Sequence, residues 1–120
     1  MPFKTLLTEL VAATPGARGA ILADWEGEAV ELACSSGGDY ELKLLAAHQS
    51  IILGQLREVN GRLFEAESSD LVITTRAGRC IAGTVGADYA LVMTIHRDTG
   101  VGPALHRFRD SREQLVKEIY

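Results

Sequence analysis

The stretch DLVITTRAGRCIAGTVGADYALVMTI, residues 70–95, sets the tightest limit on the fold. Three apolar, β-branched runs, Leu71–Thr75, Cys80–Val85 and Tyr89–His96, are joined by Arg76-Ala77-Gly78-Arg79 and by Gly86-Ala87-Asp88. Links this short join antiparallel neighbours, because a parallel crossover needs a dozen residues or more. The segment therefore predicts a three-stranded meander. Upstream, the apolar runs Gly19–Ala23 and Ala29–Cys34 flank Trp25-Glu26-Gly27-Glu28 and predict a hairpin, with Gly27 free to take a positive φ and the turn type open.

Helical periodicity fills the rest. Phe3, Leu6, Leu7, Leu10 and Val11 recur at helical spacing, and Thr14-Pro15-Gly16 ends that helix near Ala13. A long helix is expected from about Tyr40 to Asn60, capped by Ser36, Asp39 or a neighbour, with Glu41 in its first turn and Asn60-Gly61 closing it. Pro103 suits the first turn of a last helix whose buried stripe is Leu105, Phe108, Leu115, Val116 and Ile119. The order α-β-β-α-β-β-β-α predicts one α+β domain over residues 1–120, built on an antiparallel sheet.

The central helix carries too much apolar surface for one contact. At about 100° per residue, Leu42, Leu45, Ile52, Leu53, Leu56, Val59 and Leu63 form a broad stripe expected to lie on the sheet. Leu44, Ala47, Ile51 and Gly54 point elsewhere, with His48 and Gln55 between the two sets. Lys43, Ser50, Arg57 and Glu58 supply the polar arc. A buriable apolar side chain left in water forgoes roughly 1.5–3 kcal/mol, so the second set calls for a cover. The first and last helices could provide it, but each already has a stripe for the other face of the sheet. A second copy of the chain is the favoured cover, in a closed two-fold dimer. The run Leu71-Val72-Ile73-Thr74-Thr75 has neither lysine nor proline and, if it forms a sheet edge, invites the same partner.

The sequence offers little for chemistry. A formal net charge of −4 argues against nucleic acid or an anionic membrane as the main partner. No apolar run approaches the roughly 20 residues of a membrane span, and MPFKTLLTEL lacks the core of a signal peptide. Cys34 and Cys80 lie in apolar strands without metal or redox spacing, and read as buried thiols in a reducing cytoplasm. No phosphate-binding glycine loop or nucleophile elbow occurs, and His48, His96 and His106 are scattered. Asp24, Glu26 and Glu28 read as a solvated acidic turn, Arg76 and Arg79 as a basic hairpin tip, and Arg107, Arg109 and Arg112 as a solvated helix face. Trp25 either anchors a partner or caps the core. No catalytic residue, metal or cofactor is expected, and no pocket-lining polar cluster favours a small-molecule sensor.

The hairpin ARGAILADWEGEAVELA, the meander and the long apolar helix together resemble the roadblock-type domain of dynein roadblock light chains and bacterial MglB-like regulators. The resemblance runs from Phe3 to about Ile119. It implies a profilin-like, five-stranded antiparallel sheet with the central helix on one face and the terminal helices on the other. It also implies a non-enzymatic homodimer joined through Leu44, Ala47, His48, Ile51, Gly54, Gln55 and Leu71–Thr75. MglB-like members bind a small Ras-like (MglA-type) GTPase and stimulate hydrolysis without lending a catalytic arginine. A similar role is expected here, with contact through Lys43, Ser50 and Arg57. The alternative is a dimeric scaffold of the dynein roadblock type, without effect on any GTPase rate.

Overall fold

The computed structural model describes residues 2–26, 28–35, 38–63, 70–76 and 78–120; at 2, 39, 40, 49, 50, 53, 56, 57 and 59–63 it describes backbone only. The elements are α1 (Pro2–Ala13), β1 (Ala17–Asp24), β2 (Ala29–Cys34), α2 (Asp39–Leu63), β3 (Asp70–Thr74), β4 (Arg79–Val85), β5 (Tyr89–Ile95) and α3 (Val101–Ile119). This is the expected order. The five strands form one antiparallel sheet in the order β2-β1-β5-β4-β3. The two hairpin systems meet where β1 pairs with β5, which leaves β2 and β3 as the edges.

Strand alternation sorts the side chains into two unlike layers. Leu22, Ile81, Val85, Leu91, Met93 and Ile95 point to one face and are sealed by Leu7 and Leu10 of α1 and by Ala104, Phe108 and Leu115 of α3. The opposite face is lined by smaller groups, Ala23, Cys80, Ala82 and Ala90 beside Ile21 and Val92, and receives Leu42 and Ala46 of α2. Leu45 of α2 packs half-buried beside them.

Among the described side chains, the expected helix stripe holds at Leu42 and Leu45 and is revised at two positions. Fully buried Ala46 shares it with Leu42, whereas Ile52 remains 38 % exposed. Leu53, Leu56, Val59 and Leu63 lie outside the described side chains. The helix also runs past Asn60-Gly61 to Leu63. A glycine near a helix end costs only about 1 kcal/mol and leaves the hydrogen-bond ladder intact, so it does not by itself stop a helix. At the start of α2, the Gly38 carbonyl accepts the first amide, Leu42 N–H, at 3.0 Å. Gly16 does end its segment as expected: it sits at φ +81°, and a Cβ there would lie 1.8 Å from Thr99 Oγ1.

Three polar groups behave differently from their sequence reading. Arg109 Nε donates to Asp70 Oδ2 at 3.1 Å, and the Arg112 guanidinium donates to both Asp70 carboxylate oxygens. Arg112 also lies 5.9 Å over the Phe108 ring. These two arginines pin the first residue of β3 to α3; Arg112 is largely buried in doing so, while Arg107 and Arg109 keep the exposure expected of that face. Arg79 is half-buried, and its guanidinium donates to the Thr99 carbonyl at 2.7 Å, tying β4 to the loop before α3. Trp25 settles as a cap on the core. It packs on the α2-side cluster, and its indole N–H donates to the Ala87 carbonyl at 2.7 Å. Asp24 Oδ1 accepts the amides of Glu26 and Glu28, both at 3.0 Å, so the hairpin tip is an Asx-type turn; Gly27 lies outside the described residues.

Cys80 is buried between α2 and the sheet, and burial pushes its thiol pKa up to about 11. The folded chain therefore holds this proton through a range where the unfolded chain loses it. Stability should be intact below pH about 9 and should fall from there toward 11, by on the order of 2 kcal/mol. Urea titrations across this range should show the decline in the native protein and a smaller one in Cys80→Ala. An identical decline in both would remove Cys80 as its cause.

Candidate protein-interaction surface

Leu42 and Ala46 define the side of α2 that meets the sheet. Half a turn away, Leu44 and Ile51 stand 49 % and 59 % exposed, with His48 and Gln55 exposed beside them. Ala47 is half-buried at the margin of this set. Leu45 marks one flank, because it lines a shared cavity of about 240 Å³ with Ile73 and Thr75 at the β3 side. Ile52, seven residues on, lies along the same line of the helix. The apolar ridge therefore runs from the crest of α2 down toward β3.

The other flank faces the β1–β2 hairpin. A Cβ placed on Gly54 would sit 3.9 Å from Trp25 Cε3, so Gly54 belongs here and not with the exposed apolar set. At that distance the indole is an ordinary van der Waals neighbour. Lys43 is exposed, and the side chains of Ser50 and Arg57 lie outside the described residues. Residues 43, 50 and 57 follow one another at seven-residue spacing and so share a line of the helix.

Among the described residues β3 is an edge of the sheet. β3 pairs with β4 in unbroken register from Asp70↔Gly83 to Thr74↔Arg79. Leu71 and Ile73 tuck half-buried against the α2-side cluster, while Val72, Thr74 and Thr75 are exposed. Thr75 lies just beyond the strand, where its N–H donates to the Gly78 carbonyl at 2.8 Å. Thus the structure groups Leu44, His48, Ile51 and Gln55 on one crest above an open edge, separates Gly54 from them, and adds Ile52, which its place in the apolar wheel had assigned to the sheet.

Among the described residues there is no cluster of three metal-ligating side chains. A cavity of about 510 Å³ is an open trough between the start of α2 and the sheet, bordered by Arg18, Cys34, Glu41 and Thr94. No helix among the described residues is long and apolar enough to cross a membrane.

Comparison with known proteins accords with this architecture. None of the curated proteins matches the chain. A Roadblock/LC7 domain structure from Streptomyces avermitilis superposes with a TM-score of 0.84 at 14 % identity, covering 97 % of this chain and 96 % of that one. Myxococcus xanthus MglB gives 0.84 at 16 % identity, with 99 % and 95 % covered. An MglB solved in a tetrameric arrangement gives 0.84 at 19 % identity, with 97 % and 86 % covered. At such identities these likenesses speak for the fold. The sequence itself matches the Roadblock/LC7 domain over residues 3–94, most of its length, and the chain belongs to that family.

Proposed function

We propose that this protein is a non-enzymatic, cytoplasmic homodimer that binds a small Ras-like GTPase of the MglA type and modulates its GTP hydrolysis. One observation carries the reading: the exposed apolar ridge of α2 and the open β3 edge lie on the same flank of the molecule. A second copy related by a two-fold axis can cover both at once, helix against helix and strand against strand. Covering Leu44, Ile51 and Ile52, each about half exposed, contributes roughly 1 kcal/mol per side chain. The MglB found in a tetrameric arrangement lends support to assembly in proteins of this fold. The GTPase part rests on the likeness to MglB proteins.

The regulator would work by surface complementarity, favouring one arrangement of the GTPase switch segments over another. The polar line of Lys43, Ser50 and Arg57 is proposed for this contact because its positions follow one line of α2 away from Leu44 and Ile51, and Lys43 is exposed.

Timing single-turnover GTP hydrolysis by an MglA-type GTPase, alone and with this protein, tests the reading. Faster turnover is expected. Binding with unchanged turnover would replace it with the scaffold role. Arg57→Glu should weaken GTPase binding at least about tenfold (about 1.4 kcal/mol) while leaving the dimer mass unchanged. Wild-type affinity in that variant would remove the patch.

A further inference from the structure

The two edges of the sheet are built differently. Ser35 N–H donates to the Arg18 carbonyl at 2.9 Å, which marks Arg18 and Ser35 as a ladder pair. Antiparallel bonding alternates, so Ala20–Ala33 and Leu22–Glu31 also face one another through the ladder. The N–H and C=O of Leu32 then point away from β1, off the open side of β2. Neither is left for an incoming strand. Leu32 N–H donates to Glu31 Oε1 at 3.2 Å, and Lys4 Nζ of α1 donates to the Leu32 carbonyl. Lys4 and Glu31 themselves lie 4.0 Å apart as an ion pair. The β1–β2 register also slips between Leu22 and Ala23, a bulge that bends the edge.

The β3 edge has none of this. Thr75 N–H donates to the Gly78 carbonyl, so the same alternation places the backbone groups of Val72 and Thr74 outward. Among the described residues no side chain caps them, and the register is unbroken.

We infer that the Lys4–Glu31 pair is a stop that closes β2 to strand addition, so that the sheet can grow through β3 alone and assembly ends at a closed pair. A chain with two open edges would instead propagate head to tail. Lysine at an edge is a known guard against such growth, because an added strand must strip its solvation and displace it. The pair is too exposed, at 53 % and 28 %, to matter much for folding, so its placement on the outward groups of one residue is its informative property. The choice of β3 as the edge left open rests on the dimer reading above; the closure of β2 does not.

Sedimentation velocity from micromolar to millimolar concentration separates these claims. The native protein should reach a ceiling at two copies. Lys4→Ala/Glu31→Ala should grow beyond that ceiling as concentration rises, and adding Val30→Lys to the double variant should restore it. A folded double variant, checked by circular dichroism, whose mass tracks the native protein throughout would overturn the stop. Should the double variant not fold, Lys4→Ala alone carries the same expectation, since it removes the cap on the Leu32 carbonyl together with the ion pair. A native protein of one copy beside a growing variant would retain the stop and reject the β3 dimer.

Discussion

Gly83→Ala should destabilise the protein by about 2–3 kcal/mol, the range for overpacking a filled interior. Gly83 lies in β4 under α3, and an added Cβ would sit 2.7 Å from Asp70 Oδ1, 2.9 Å from Phe108 Cε1 and 3.0 Å from Arg112 Nη1. No single side chain can step aside, because the ring is fully buried and the two charged groups hold each other. Parting a largely buried pair adds to the steric cost, since each partner would be left without its counter-charge. Chemical denaturation should show a lower midpoint with an unchanged slope. Gly102→Ala is the control: nothing lies within 4 Å of its added Cβ, so stability should hold or rise slightly. Equal stability of Gly83→Ala and the native protein would mean that α3 does not press on β4 at this point.

Leu44→Glu/Ile51→Glu should dissociate the dimer by at least about 100-fold, or about 2.8 kcal/mol, while each copy remains folded. Both residues are about half exposed in the single chain, so a charge there costs the isolated fold little. In the pair, each glutamate would be pressed against an apolar surface and its own symmetry mate, which offers neither solvent nor a counter-charge. Ala46→Glu provides the contrast. Ala46 is fully buried against the sheet, and that variant should lose the fold itself. A double variant that still sediments as two copies would move the interface off the α2 crest.

The contrast between Ala46 and Ile52 shows where the sequence is legible and where it stops. Short links and β-branched runs name the strands, and the layered order follows, because these signals are local. The position of the α2 stripe is less local. Apolarity alone places Ile52 on the sheet and passes over Ala46, yet it is Ala46 that packs against the small groups Ala23, Ala82 and Ala90 while Ile52 stays partly exposed. Helical spacing sets Gly54 with the apolar group, but its neighbour is Trp25, far off in sequence. Asp70, Arg109 and Arg112 were unreadable as a unit for the same reason, since about 40 positions separate acid from base. Lys4 and Glu31 look like ordinary surface charges until the ladder parity of Leu32 is known. The crest of Leu44, His48, Ile51 and Gln55 emerged directly, because helical spacing is enough to place residues on one line.

The account depends on a second copy covering the crest of α2 and the edge of β3. Light scattering coupled to size exclusion, run on the native chain through a dilution series in the micromolar range, tests this most directly. The account requires a mass of two chains at the upper concentrations, with any loss of mass on dilution following a two-to-one equilibrium. A mass of one chain at every concentration would contradict it.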